Sequence, residues 1–274
     1  KIIVAATAPN LSNQTAEFAV YRLNASGSHD TSFGVNGVAR NDVGIGNDVP
    51  FAIALQLDGR ILIGGATNFA ANSNADVAVL RFTSNGVLDC GFGIGGKVIT
   101  PLSGLTEVIS DIKLQSDGKI VASGTKCDNL GCSSEKGVLL RYTSNGALDG
   151  SFDEDGVVSL QIQSSTSSDL ASIAVQSNGK IVAAGTSVSA VTQSDSLVVR
   201  YNNNGTIDST FSVDGITTND IGGSQQQSHA LTLQADGNIV TAGSHLNGTR
   251  NDIVVWRHLG DTPLLNRTLF DFEG

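Results

Sequence analysis

Four copies of one apolar–turn–apolar stretch dominate the chain: LQLDGRILIGGA (55–66), LQSDGKIVASGT (114–125), VQSNGKIVAAGT (175–186) and LQADGNIVTAGS (233–244). Other positions recur in step. Gln56, Gln115, Gln176 and Gln234 are 59, 61 and 58 residues apart, and Arg22, Arg81, Arg141, Arg200 and Arg257 are 59, 60, 59 and 57 apart. Phe33, Phe92, Phe152 and Phe211 follow at 59, 60 and 59. A period near 60 means stacked copies of one unit that bury their faces against each other.

Each unit reads as four strands. Strand a is FAIALQ, ISDIKLQ, LASIAVQ or HALTLQ, and Asp-Gly or Asn-Gly then closes a hairpin that needs positive φ. Strand b is RILIGGA, KIVASGT, KIVAAGT or NIVTAGS; strand c is DVAVLRF, GVLLRYT, SLVVRYN or DIVVWRH. A TSNGVLDCGFGIGG-like segment and a short strand d, such as GKVIT, complete the unit. Glycine is abundant (32 residues), charged residues make up only 15%, and Val, Ile and Thr are frequent, which is an all-β composition. Strands a, b and c alternate weakly between apolar and polar, so each is expected to be buried on both faces. The radial sheets of a β-propeller provide that burial. Small residues near the end of strand b (Ala6, Gly65, Gly124, Gly185, Gly243) allow backbones to approach closely.

The pattern RxxxxGxxDxxFxxxG, a strand and then LQxDGKIxxxG resembles the delta-60 repeat of bacterial surface and secreted proteins. It stands here as RFTSNGVLDCGFGIGG with LQSDGKIVASG and as RYTSNGALDGSFDEDG with VQSNGKIVAAG. The hairpin alone is similar to the NHL-type propeller repeat. The resemblance covers residues 1 to about 259 and implies a fold, with no catalytic residues to transfer.

Five b strands predict five blades of about four antiparallel strands in an all-β propeller over residues 1–259. Residues 260–274 form a tail, either a ring-closing strand or a linker: RTLFDFEG (267–274) aligns in register with IALQLDG, Phe270 to Gly274 against Leu55 to Gly59. Chain direction puts the a–b and c–d turns on one side, where they repeat, and the b–c and d–a loops on the other, where they differ in every unit. Repetition suits a scaffold and diversity suits recognition.

The variable side supplies the ligand-binding candidates: Asp48, Glu107, Asp169 and His229 in or beside the d–a loops, and Phe69, Lys126, Asp128, His245 and Arg250 around the b–c loops. Cys127 and Cys132, in the loop GTKCDNLGCSSEKG, are expected to form a disulfide, which implies an oxidising compartment. Cys90 has no evident partner. The recurring Asp30, Asp89, Asp149 and Asp208 stand one per unit, too far apart to share an ion, and read as turn caps or partners of the strand-c Arg. FDEDG (152–156) places Asp153 and Asp155 at calcium-like spacing, but the loop lacks the further acidic ligand of an EF-hand, so calcium is a weak candidate. No other cofactor is expected. The four histidines show no ligand spacing, and there is no GxSxG elbow or phosphate-binding glycine loop.

A net charge of −10 without Lys/Arg clusters argues against nucleic acid, and no apolar run is long enough for a membrane-spanning helix. The chain contains no Met, so Lys1 reads as the start of a processed product or fragment. The expectation is an extracellular or bacterial cell-surface module for adhesion or surface assembly. It would be non-catalytic, with a protein or glycan partner at the variable side and further domains or subunits as other partners. Two alternatives stand beside it. One is a glycoside-processing enzyme, needing two of Asp48, Glu107 and Asp169 facing each other; aromatic content is only 5%, and Tyr21, Tyr142, Tyr201 and Trp256 all lie on strand c. The other is a purely structural spacer in a larger surface protein.

Overall fold

The computed structural model describes residues 1–69, 74–102, 104–129, 132, 134–163, 165–190, 193–221 and 225–260. All regular elements among them are strands, gathered into five consecutive antiparallel sheets. Sheet one holds β1 (Ile2–Asn10), β2 (Thr15–Leu23) and β3 (Val38–Asn41). Sheet two holds β4 (Val49–Leu55), β5 (Ile61–Thr67), β6 (Asp76–Phe82) and β7 (Lys97–Thr100). Sheet three holds β8 (Thr106–Leu114), β9 (Ile120–Cys127), β10 (Glu135–Tyr142) and β11 (Val157–Ser159). In sheet four, β12 (Ser165–Ser168) and β13 (Ser172–Val175) both pair with β14 (Ile181–Ser189), which is followed by β15 (Gln193–Tyr201) and β16 (Ile216–Asn219). Sheet five holds β17 (Gln226–Leu233), β18 (Ile239–Asn247) and β19 (Arg250–His258).

The recurring hairpin joins strands a and b within a sheet. Gly59, Gly118, Gly179 and Gly237 have φ of 83°, 83°, 84° and 84°, the left-handed region that glycine enters without a Cβ penalty. The residue before each glycine caps the turn: Asp58 Oδ1 accepts from Arg60 N at 3.0 Å, and Asp117, Asn178 and Asp236 do likewise. This is the physical reason for the DG and NG pairs.

The weak alternation has an equally direct cause. Along β5, Ile61 and Ile63 pack with Phe18, Val20 and Leu80 between sheets one and two, while Leu62 packs with Ile120, Ala122 and Leu140 between sheets two and three. Val121, Leu139, Ile181 and Leu197 fill the next interface, and Val182, Val198, Phe211 and Ile239 the last. Successive side chains of one strand thus serve successive interfaces, each fully buried side chain stabilising by about 1.5–3 kcal/mol. No apolar cluster of described residues joins sheet five to sheet one.

Two expectations are corrected. Strand a is not buried on both faces throughout: Phe51, Ile53 and Leu55 of β4 are exposed, as are His229, Ala230 and Thr232 of β17. β4 still meets β1 and β2 on one side and β8 on the other, and β17 packs on sheet four, but in neither strand are these side chains covered. The units also depart from four strands where strand a breaks: in sheet four, residues 169–171 separate β12 from β13. The expected ring-closing strand or linker falls on residues 261–274, outside the described residues.

The glycine near the end of strand b makes room for the adjoining strand a. A Cβ on Gly124 would lie 1.8 Å from the Val108 carbonyl oxygen, and one on Gly65, Gly185 or Gly243 would meet Val49, Asp169 or Gln227 as closely. The register of strand a shifts beside these contacts, between Pro50 and Ala52, Ile109 and Asp111, and Ser228 and Ala230.

Candidate functional site

The side carrying the repeated turns is chemically self-contained. Arg81 Nε donates to Asp89 Oδ2 at 2.8 Å, and Arg60 Nε approaches the same oxygen at 2.8 Å. The arrangement recurs as Arg22 and Lys1 on Asp30, Arg141 and Lys119 on Asp149, and Arg200 and Lys180 on Asp208, at 2.6–3.0 Å. Each strand-c guanidinium lies over the following Phe, at 4.7, 4.6, 4.5 and 4.9 Å from the ring centres of Phe33, Phe92, Phe152 and Phe211. Its Nη1 then donates into the next sheet, to the carbonyl oxygens of Ser84, Ser144, Asn203 and Gly260 in turn. Burial alone would raise the Asp149 and Asp208 carboxyls. Hydrogen bonds from Ser151 and Lys119, and from Lys180 and Thr210, hold them well below the usual carboxylate range. The four aspartates therefore cap their turns and pair with the strand-c Arg of their own sheet, and that Arg carries the link to the next sheet. Arg257 turns back instead, donating to Gln234 Oε1 at 2.8 Å and Asp236 Oδ2 at 2.9 Å.

On the opposite side the three candidate carboxylates are engaged differently. Asp48, fully buried, accepts from Val43 N at 2.7 Å and Thr67 Oγ1 at 2.6 Å. Glu107, also buried, accepts from Leu102 N at 2.8 Å and Gly104 N at 2.6 Å. Burial raises both, and each closes its own d–a loop. Asp169 stands apart. Burial pushes it up to about 6 despite a hydrogen bond from the Thr186 hydroxyl, with the Glu135 carboxylate raising it further and His229 lowering it. Asp169 thus lies within electrostatic reach of His229 and of Glu135, the latter missed by sequence reasoning. The signal was present in CSSEKG, an acidic residue just beyond the cysteine pair.

Glu135 begins β10 beside the Cys127–Cys132 disulfide, which forms as expected. Burial raises its carboxyl. Its Oε1 lies 3.9 Å from Cys127 Sγ, but a disulfide sulfur has no proton to donate. A cavity of about 220 Å³ opens here, lined by Ser134, Glu135, Lys136, Gln161 and the β12 serines among others. Hydroxyl contacts join its walls: Ser134 Oγ donates to the Thr166 carbonyl at 3.3 Å, Glu135 N to Ser167 Oγ at 3.2 Å, and Gly137 N to Ser168 Oγ at 3.2 Å. Cys127, Cys132 and Glu135 also gather within metal-ligand distance, but sulfurs bonded to each other are not the thiolates a metal takes.

The other candidates are dispersed. Lys126 lies across from Glu107 and near Asp128 at 3.6 Å, while Lys136 pairs with Asp128 at 2.6 Å. Phe69 meets Phe51 edge-on at 6.1 Å. His245 faces Gln226 on one side and Asp252 on the other, and Arg250 pairs with Asn247 at the end of sheet five. On the repeated side, Asp155 caps its turn through Val157 N at 2.8 Å and Asp153 donates its backbone N–H to Asn204 O at 2.8 Å. Cys90 is exposed and unbonded.

The folds of solved structures agree with this architecture. A protein of unknown function from Dyadobacter fermentans aligns over 99% of this chain and 83% of its own, at 13% identity and a TM-score of 0.53. A PL25 ulvan lyase, a polysaccharide lyase, aligns over 94% of this chain and 66% of its own, at 12% identity and a TM-score of 0.50. At these identities the likeness concerns the fold alone. No curated protein sequence matches significantly. A family model described as a domain of unknown function (DUF5122) β-propeller matches residues 1–33, 56–92, 115–152 and 176–211. The last three segments begin at Gln56, Gln115 and Gln176, and all four end at or beside the Phe under each strand-c Arg, so the matched unit is the hairpin plus the Arg–Asp–Phe tie. Matched over more than half its length, the chain belongs to the DUF5122 β-propeller family.

Proposed function

We propose that this propeller is a non-catalytic binding module, acting outside the cytoplasm, that takes a protein or glycan partner on the side of its variable loops. One observation carries the reading. The recurring Arg–Asp pairs of the repeated turns are matched within each sheet and bonded on to the next, whereas the opposite side joins a polar cavity to a half-buried carboxylate with no donor among the described residues. The disulfide stiffens the loop bordering that cavity. The expected setting is an oxidising one, as for a secreted or surface protein of the delta-60 type. The test is alanine replacement of the cavity-lining Glu135, Lys136 and Gln161, with the disulfide left intact, read on a glycan array and by capture of bacterial surface proteins. Binding is expected to fall while the melting temperature holds. Loss of binding only when the Asp-Gly turns are altered refutes it.

A second reading rests on Asp169, raised to about 6 and within electrostatic reach of Glu135 and His229. A carboxyl that burial keeps protonated toward neutral pH, with a second carboxyl in electrostatic reach, is what a general acid in glycoside chemistry needs. Under this reading Asp169→Asn and Glu135→Gln each abolish turnover of a polysaccharide panel by the intact chain. Absence of turnover by the intact chain itself removes it.

A further inference from the structure

We propose that reductive opening of the Cys127–Cys132 disulfide turns Cys127, Cys132 and Glu135 into a binding site for one zinc ion. The hairpin of sheet three sets two of these residues side by side. β9 ends at Cys127, β10 begins at Glu135, and the two are directly opposed across the ladder. Thr106 of β8 pairs with Cys127 from the other edge, so the backbone of this cysteine is held on both sides. The loop returns Cys132 to the strand ends: its N–H donates to the Asn129 carbonyl at 3.3 Å, and its sulfur reaches Cys127. Both sulfurs and a Glu135 carboxylate oxygen consequently lie within 4.8 Å of one another, with Glu135 Oε1 at 3.9 Å from Cys127 Sγ.

That spacing is close to what a tetrahedral zinc site requires. Bonds of about 2.3 Å to sulfur and about 2.0 Å to oxygen set neighbouring ligand atoms roughly 3.5–3.8 Å apart. The carboxylate–sulfur distance is already near this. The sulfurs, once their bond is broken, part by rotation of the cysteine side chains. The order along the chain, Cys-x4-Cys-x2-Glu, falls within the Cys-x2–4-Cys spacing of zinc loops.

The chemistry of the donors points the same way. Two thiolates and a carboxylate bring negative charge that a divalent cation offsets, and soft sulfur favours zinc over calcium or magnesium. Cys127 is buried, and Cys132 and Glu135 are partly buried. The cavity bordered by Ser134 and Glu135 admits a water to the fourth position.

Disulfide and metal are thus alternative staples of one loop. A dithiol reductant passes two electrons and two protons to the disulfide and leaves as its own disulfide. The two thiols formed give up their protons to solvent as zinc binds, making two Zn–S bonds and one Zn–O bond to Glu135. None of this depends on what the variable loops bind.

The test uses the full chain carrying Cys90→Ser, reduced with dithiothreitol, freed of it under anaerobic conditions and titrated with cobalt(II) as an optical stand-in for zinc. A sulfur-to-cobalt charge-transfer band that saturates at one ion per chain and is bleached by zinc is expected, and the disulfide form should give none. Glu135→Gln keeps both sulfurs, so it should retain the band while binding zinc about 10-fold or more weakly in competition with a chromophoric chelator. No band in the reduced chain overturns the proposal, as does equal binding by the disulfide form. Unchanged zinc affinity in Glu135→Gln removes Glu135 from the site and overturns it as well.

Discussion

Arg141 is the strand-c arginine whose loss the structure makes most costly. Its side chain is 2% exposed. Its Nε donates to Asp149 at 2.7 Å, Nη2 to Ser151 Oγ at 3.0 Å and Nη1 to Asn203 in the next sheet, while the guanidinium lies 4.5 Å from the centre of Phe152. Hydrogen bonds involving a charged group contribute about 1.5–3 kcal/mol each, and cation–π stacking about 1–2 kcal/mol when desolvated. Truncation to Ala also strands a carboxylate, although Lys119 remains 3.0 Å from it. That residual partner places the expected cost of Arg141→Ala near the lower end for breaking a buried pair, about 3 kcal/mol. Urea unfolding at pH 7 reads it from the midpoint at constant slope. Arg257→Ala is the control. It removes a guanidinium that bonds only within its own sheet, to an exposed Asp236, and should barely move the midpoint. Equal losses at the two positions, or a loss below about 1 kcal/mol for Arg141→Ala, would refute the view that this contact couples neighbouring sheets.

Three further outcomes follow from the same geometry. Gly124→Ala puts a Cβ 1.8 Å from the Val108 carbonyl oxygen and should cost about 3 kcal/mol in urea unfolding, at the upper end for overpacking; a neutral result would show that β8 shifts freely. Asp169 is raised to about 6, so between pH about 4 and 6 the unfolded chain releases its proton first and stability falls as pH rises. Asp169→Asn lacks that loss and should gain on the parent across this window, by at most about 3 kcal/mol, then run parallel above it; a gap widening toward acid pH would contradict the burial argument. Replacing Cys127 and Cys132 by Ser opens a link with a sequence separation of 5 and should cost about 2 kcal/mol by loop entropy, checked by thermal unfolding with and without reductant.

Much of the fold was legible because the repeat multiplies weak local signals. The Asp-Gly hairpins, the strand-b glycines and the Arg–Asp pairing all follow from short-range chemistry that four copies make unmistakable. The side of the variable loops was less legible. Asp48 and Glu107 looked free because acidic residues in variable loops usually are, but the folded chain gives their oxygens to loop amides. Glu135 went unnoticed because nothing in its neighbourhood of sequence shows that Asp169, 34 positions away, lies within electrostatic reach.

The sequence by itself determined the unit: which residues turn, which pair within a sheet, and that each sheet needs apolar neighbours on both sides. Only the tertiary structure decided what the units do to one another. It sent alternate residues of one strand to different interfaces, carried each guanidinium into the adjoining sheet, and left the innermost strands partly bare. The physical reason is range: hydrogen bonds along a turn are set by residues a few positions apart, whereas burial and proton affinity depend on groups that chain folding brings together from distant repeats.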